Sequence, residues 1–264
     1  MLKLEKVTKI FHQGTADERV ALNNIHLTLK KGDFVTVIGS NGAGKSTLLN
    51  VISGRLLPDG GTVELAGTDV TKVPEFRRSR FIGRVFQDPM TGTAPSMTIE
   101  ENLAMAYSRN RRRTLKPGVT KRRREFFRET LANLGLGLEN RLNAKAGLLS
   151  GGERQALSLV MAAFTEPDLL LLDEHTAALD PARAELITRL TGDIVTRLGL
   201  TTIMVTHNMQ QALELGNRLV MMDHGEIVFE ASDRMKTALT VDDLLAKFRE
   251  IRGESLAADR SLLA

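Results

Sequence analysis

GSNGAGKST, Gly39 to Thr47, decides how this chain of 264 residues is read. It fits G-x-x-x-x-G-K-[ST], a glycine-rich loop that wraps phosphate groups with successive backbone N–H groups. Gly39, Ser40, Asn41, Gly42, Ala43 and Gly44 form the loop, where glycine lets the backbone come close to an anion. Lys45 supplies a charge for the outer phosphates of a nucleotide. Ser46 supplies a hydroxyl ligand for Mg²⁺, and Thr47 closes the motif. FVTVI, Phe34 to Ile38, reads as a buried strand leading into the loop. Ser46 to Leu57 reads as a helix leaving it, whose N-terminus adds a partial positive charge.

On either side of this unit the pattern alternates. Leu2–Phe11 and Ala21–Lys30 read as two strands of an antiparallel hairpin. Pro58 to Gly61 is a turn, and Thr62–Leu65 and Phe81–Phe86 are short strands. From about Pro89 to Phe164 the periodicity is helical. Thr98 with Glu101 forms a capping box, Lys116-Pro117-Gly118 interrupts, and a helix over Thr120–Leu134 stops at Gly135. Ser150 with Glu153 forms a second capping box, for a helix running to Phe164. Leu169–Leu172 and Thr202–Val205 are continuous apolar runs of the kind buried in parallel sheets. Between them, Asp180-Pro181 starts a helix that ends at Gly199. Leu219–Met222 and Glu226–Phe229 read as a closing hairpin. The tail holds a helix over Val241–Ile251, followed by a polar, mobile end.

Two further elements carry chemistry. Leu169–Leu172 ends in Asp173-Glu174, and a carboxylate at a strand's C-terminal end suits Mg²⁺ held directly or through water. Glu174 follows where a group could deprotonate a water. His207 comes directly after the strand Thr202–Val205, either as a structural histidine or as a group touching the outer phosphate. In open parallel sheets ligands bind beyond the C-terminal strand ends. Three strands thus deliver Lys45, Asp173/Glu174 and His207 to one edge. In LSGGE, Leu149 to Glu153, Ser150 caps a helix while Gly151 and Gly152 expose N–H groups at its positive end. This is a second anion site, used on the same nucleotide or in trans across a dimer.

Composition sets the bounds. Apolar residues make up 42% of the chain, enough for a real core, and there is no cysteine, which excludes disulfides and thiol chemistry. No apolar run is long enough to span a membrane, and the opening MLKLEKVTKIF is not read as a signal peptide. Asn102 to Arg124 holds nine cations and no acid, and removing them from the net charge of +4 leaves the rest of the chain at −5. These cations (Arg109, Arg111, Arg112, Arg113, Lys116, Lys121, Arg122, Arg123 and Arg124) form a solvated helix face or attract anionic lipid heads. They lack the interleaved aromatics of a single-strand nucleic-acid binder, and no nucleic acid is expected.

The whole set resembles the ATP-binding cassette (ABC) ATPase family over about Leu2 to Glu230. GSNGAGKST stands as Walker A, Gln87 in VFQDP as the Q-loop, LSGGE as the signature and LLLLDE as Walker B. AALD (Ala177–Asp180) matches the D-loop, and His207 in VTHN matches the H-loop. There are two departures: Glu153 stands where glutamine is commoner, and His175 where proline is usual. His175 is read as filling space near the dimer seam. The string DEHTAALDP looks like a bacterial subgroup of tryptophan/tyrosine uptake ATPases.

The resemblance implies an α/β fold: a P-loop NTPase core with an antiparallel β layer and an inserted helical subdomain. A single nucleotide-binding domain would cover 1–264. Its ATP-binding core would be about 1–89 and 158–230, its helical subdomain about 90–157 and its C-terminal tail 231–264. It further implies ATP hydrolysis with Mg²⁺ in a head-to-tail homodimer, each ATP lying between one subunit's Walker A and the other's Ser150–Glu153. Phe11, otherwise a core residue, would stack on adenine, and Gln87 would touch the metal or the lytic water. Asp180 would lie at the dimer interface. The partners would be integral membrane permease subunits and a solute-binding protein, at the cytoplasmic face of the membrane. The cargo would be an amino acid or similar small solute. Rival readings are a soluble ABC ATPase of translation or DNA maintenance, and the ATPase of an exporter or lipid-extraction system.

Overall fold

The computed structural model describes residues 1–109 and 117–261. Arg111, Arg112, Arg113 and Lys116 of the basic run lie outside them. Strands β1 (Leu2–Phe11) and β2 (Arg19–Leu29) pair antiparallel, with Leu2 opposite Leu29 and Phe11 opposite Arg19. Their buried residues alternate with exposed ones, the period-two pattern of a sheet covered on one face. Strand β3 (Phe34–Gly39) is buried almost throughout, and the phosphate loop carries it into α1 (Lys45–Ser53).

Helix α1 is shorter than the sequence pattern predicts. It stops at Gly54, which takes the left-handed conformation with φ of 81°. A Cβ on Gly54 would sit 2.7 Å from Arg78 Nε. Arg78 is fully buried and donates to the carbonyls of Val51, Ile52, Thr71 and Val73. The guanidinium therefore occupies the negative end of α1 and satisfies its last carbonyls. Burial pulls its pKa down to about 10.

Strands β4 (Gly60–Leu65) and β5 (Thr68–Asp69) complete a four-stranded antiparallel sheet in the order β2-β1-β4-β5. The strand thus begins inside the expected Pro58–Gly61 turn. Short α2 (Glu75–Arg78) leads to β6 (Ile82–Val85). Next come α3 (Ile99–Tyr107), α4 (Lys121–Ala132) and α5 (Gly151–Ala163). Both expected capping boxes are formed, at Thr98 with Glu101 and at Ser150 with Glu153. Strand β7 (Leu169–Asp173) follows, then α6 (Pro181–Leu198), with Asp180 as its N-cap and Gly199 as its left-handed stop. Strand β8 (Thr202–Val205), α7 (Met209–Glu214), β9 (Arg218–Asp223) and β10 (Glu226–Ser232) come next. The chain finishes with α8 (Asp233–Ala238) and α9 (Val241–Ser261). The last helix runs ten residues past the expected end at Ile251, over the segment expected to be polar and mobile.

The second sheet has six strands in the order β10-β9-β3-β8-β7-β6, parallel except for β10. Its two faces have different covers. Val35, Val37, Leu169, Leu171, Ile203 and Val205 share a core with α1 and the antiparallel sheet. Phe34, Val85, Leu170, Leu172 and Met204 share another with α3 to α6. Each strand alternates between the two cores, so the helical segment is bonded to the sheet by continuous apolar packing. A smaller cluster joins Ile38, Leu219 and Met221 to Leu244 of α9.

Much of the described basic run is used by the chain itself. Arg124 forms a fork with Glu100 at 2.6 and 2.9 Å. Arg123 donates to Gly118 O at 2.6 Å and lies 5.4 Å from the Tyr107 ring centroid. Arg109 donates to Ile82 O. Lys121 and Arg122 are exposed, so a uniform solvated face does not describe this segment.

Candidate nucleotide-phosphate site

The parallel sheet brings the C-terminal ends of β3, β7 and β8 side by side, with Asp173 in register with Val205. Just beyond them lies a cavity of about 480 Å³. Its walls include Phe11, Arg19, Ala21, Asn41, Gly42, Gly44, Lys45, Ser46, Thr47, Gln87, Glu174 and His207. Residues distant in sequence but predicted to act together thus line one space. Gly39, Ser40 and Ala43 belong to the same loop behind that wall.

The loop backbone requires its glycines. Gly44 caps α1 with φ of 98°, and a Cβ there would stand 2.4 Å from Ala21 O. A Cβ on Gly39 would stand 2.3 Å from Met222 O. Lys45 is 5% exposed and folds back over the loop, donating to Gly39 O at 2.7 Å and Ser40 O at 2.9 Å. Burial pushes its pKa down, while the negative charges of Glu174 and Asp173 push it back up. A lysine tied to two neutral carbonyls gains from exchanging them for phosphate oxygens. Ser40 is fixed in turn, its hydroxyl donating to Asp223 Oδ1 at 2.8 Å.

Glu174 and His207 form the shortest polar contact across the cavity, Oε1 to Nε2 at 2.6 Å. The carboxylate is 9% exposed and the imidazole 45%. Glu174 N donates to Val205 O at 2.9 Å, so the turn after β7 is stitched to the end of β8. Behind it, Gln211 links Thr206 at 2.5 Å to Thr188 at 2.6 Å, and Asn208 N bonds the Thr206 hydroxyl. These bonds hold the loop that presents His207. Such a pair can accept a proton from water while keeping the carboxylate oriented.

The oxygen donors Ser46, Gln87 and Asp173 form a hard set suited to Mg²⁺. Ser46 and Gln87 line the cavity, whereas Asp173 sits at its back with Oδ2 on Arg84 at 3.1 Å. Among the described residues no group of three or more His, Cys, Asp or Glu is arranged as a metal cage.

Phe11 is half-buried at the cavity mouth and is not packed into the apolar cores. Ser150, Gly151, Gly152 and Glu153 start α5 and do not line the cavity of the same chain. His175 fills space, as expected of a structural histidine. It is 2% exposed, 2.9 Å from Thr191 Oγ1 inside the fold, and burial lowers its pKa to about 4.

Sequence reading missed Arg19, Arg84 and Asp223. Arg19 stands opposite Phe11 across the β1/β2 pair and donates to Gly42 O at 2.9 Å. Its cross-strand position was a usable signal. Arg84 and Asp223 act through tertiary contacts that no local pattern announces.

The chain resembles known proteins along most of its length. A family profile described as ABC transporter matches residues 22–177. The chain is 42% identical over 248 residues to a tyrosine transport ATP-binding protein of Clostridioides difficile (strain R20291), covering 94% of this chain and 98% of that one. It is 37% identical over 231 residues to the methionine import ATP-binding protein MetN of Geobacillus kaustophilus (strain HTA426). That match covers 86% of this chain and spans only 64% of the relative's length. Among solved structures, the ATP-binding cassette MJ0796, a dimer in a post-hydrolysis state bound to ADP and Pi, superposes with a TM-score of 0.75 at 31% identity. The match covers 89% of this chain and 99% of that one. The ADP conformation of the cassette MJ1267 gives a TM-score of 0.76 at 27% identity, over 94% and 98% of the two chains.

Proposed function

The chain belongs to the ABC transporter family and is an ATPase of that family, and from that premise we propose that it drives uptake of an aromatic amino acid or similar small solute. The observation that carries the cargo class is the near end-to-end match to a tyrosine transport ATP-binding protein. Separate permease subunits would form the path, with a solute-binding protein delivering cargo. No helix among the described residues is long and apolar enough to cross a membrane. The chain would act beside the permease subunits, at the cytoplasmic face. The working unit is a head-to-tail homodimer, in line with the dimeric cassette it resembles. We divide the chain into an ATP-binding core at about 1–89 and 158–230, a helical subdomain at about 90–157 and a tail at 231–264.

In this reading Phe11 stacks on adenine, and the N–H groups from Gly39 to Thr47 cradle the phosphates. Lys45 leaves its two loop carbonyls for the β- and γ-phosphate oxygens. Ser46, Gln87 and Asp173 would hold Mg²⁺, directly or through water. When bound, the ion neutralises charge developing on the phosphate oxygens. Glu174 accepts the proton of the attacking water, and His207 holds the carboxylate and the outer phosphate in line. Ser150 to Glu153 of a second copy close the site with N–H groups at the start of α5. The leaving group is ADP, and the abstracted proton returns to solvent from Glu174.

The test is uptake of labelled tyrosine by cells carrying the cognate permease with either the wild-type chain or Glu174→Gln. Wild type should accumulate tyrosine. The variant should bind ATP, lose at least ~100-fold in hydrolysis as expected for loss of a general base, and fail to accumulate tyrosine. Accumulation without the chain, or export of preloaded tyrosine, would overturn the import reading.

A further inference from the structure

Arg84 lies on β6 on the same side as Ile82, which packs into the core around α1. The next residue, Val85, belongs to the opposite core. An apolar side chain is the default at such a place, since a buried cation is costly unless its donors are matched. Arg84 is 9% exposed in its side chain, and its matching is specific. Nη2 meets Asp173 Oδ2 at 3.1 Å. Nη1 donates to Asn50 Oδ1 at 2.9 Å and Ser53 Oγ at 3.3 Å, both on α1. The guanidinium stands 4.9 Å from the Phe86 ring centroid. Its Nε is buried without an acceptor.

One side chain therefore joins three parts of the site. It touches the helix that follows the phosphate loop and the carboxylate that ends β7. It belongs to the strand that runs, three residues later, into Gln87. Arginine suits this task because its planar fork fixes several acceptors in one geometry, which a lysine ammonium does not. The unmatched Nε indicates that the side chain is not there for hydrogen-bond economy. A buried donor left unpaired costs stability, so the remaining contacts must hold the group in place.

Resting on the metal-site reading above, we propose that Arg84 is a positioning residue for Asp173. It holds Oδ2 so that the carboxylate presents its other oxygen to the Mg²⁺–nucleotide complex. It also keeps that carboxylate from swinging onto the neighbouring Lys45 ammonium, which would remove both charges from the phosphates. Outer-shell partners of metal ligands commonly tune ion affinity by about 10- to 100-fold.

The experiment measures Mn²⁺ affinity by electron paramagnetic resonance in the presence of ADP, and ADP affinity in excess EDTA. Both are taken on wild type, Arg84→Met, Arg84→Lys and Asp173→Asn. Arg84→Met should weaken Mn²⁺ binding at least about tenfold while leaving metal-free ADP binding unchanged. Arg84→Lys should recover part of the loss, because it restores the ion pair without the fork. Wild-type Mn²⁺ affinity in Arg84→Met, alongside a loss in Asp173→Asn, would overturn the role of Arg84 alone. Unchanged affinity in Asp173→Asn would overturn the metal-site reading and this proposal with it. An equal loss of ADP binding with and without metal in both Arg84 variants would assign the residue to fold stability and overturn the proposal.

Discussion

Glu153 and Arg141 form an ion pair, Oε1 to Nη1 at 2.7 Å, at the start of α5. The other carboxylate oxygen accepts the Ser150 backbone N–H at 2.8 Å. Burial would raise the Glu153 pKa, but the Ser150 N–H and hydroxyl and the Arg141 guanidinium hold it below the usual carboxylate range. The residue thus stays ionised at the end of the helix proposed to receive a phosphate. A carboxylate there suits the helix dipole but opposes an incoming anion. Arg141 offsets that opposition.

Arg141→Ala should accordingly weaken ATP-driven dimerisation by about three- to fivefold, the scale of a partly exposed ion pair. Adding Glu153→Gln should restore it, because the amide keeps the cap without the charge. Light scattering with ATP and a hydrolysis-deficient background reads the effect. Additive losses in the double variant would break the argument.

The proposed composite site makes a complementation prediction. Lys45→Ala and Gly152→Asp chains should each be inactive alone. Mixed, they form a dimer with one intact site and one doubly broken site, and ATPase activity should return. A Cβ on Gly152 would already approach Arg183 Cδ to 3.1 Å, so the aspartate is crowded as well as charged. No recovery on mixing two folded chains would argue against sharing of sites.

His175 gives a pH prediction. Its pKa is about 4 in the fold, against 6.5 for the free side chain. Because the folded value is depressed, the unfolded chain binds more protons between these limits. Stability is fully present above about pH 6.5 and declines as pH falls toward 4. The loss attributable to this residue is up to roughly 3 kcal/mol, at ~1.4 kcal/mol per pH unit. His175→Gln should flatten the fall in denaturant midpoint between pH 7 and pH 5 relative to wild type. Parallel curves would show that burial of the imidazole does not matter.

Lys121 and Arg122 are exposed in the described basic run, next to Arg124, which is exposed but paired with Glu100. Reversing both to Glu should cut binding to anionic liposomes at least tenfold at low salt, from about 1 kcal/mol per cation near a charged surface. The difference should shrink as salt rises, and nucleotide affinity should not move. Equal liposome binding by the two proteins would leave these residues as solvated surface.

Local signals were the legible part of the fold. The phosphate loop and the caps at Thr98, Ser150 and Asp180 depend on neighbours within a few residues, and the structure forms each of them. The convergence of Lys45, Glu174 and His207 followed from their places after three strands. Short α2, α7 and α8 were not legible, because helices of four to six residues show no periodicity. The early stop of α1 depends on Arg78 filling the space beside Gly54, a contact across more than twenty residues. Arg84 read as an ordinary strand residue, since only the fold brings it to Asp173. His175 does fill space as read, but its partner Thr191 was not legible, because a turn's side-chain direction is not set by strand or helix period.

Glu174 has a backbone φ of 44°, a region that side chains other than glycine rarely occupy. The turn that aims this carboxylate is therefore held against its own conformational preference, at a cost on the order of 1 kcal/mol. Glycine at that position would relax the backbone and remove the proposed proton acceptor in one step. Laboratory evolution that rewards heat resistance alone should thus drift toward losing this side chain. A stabilised version of the protein needs its turnover screened at every round, or the selected chains will be robust and inert.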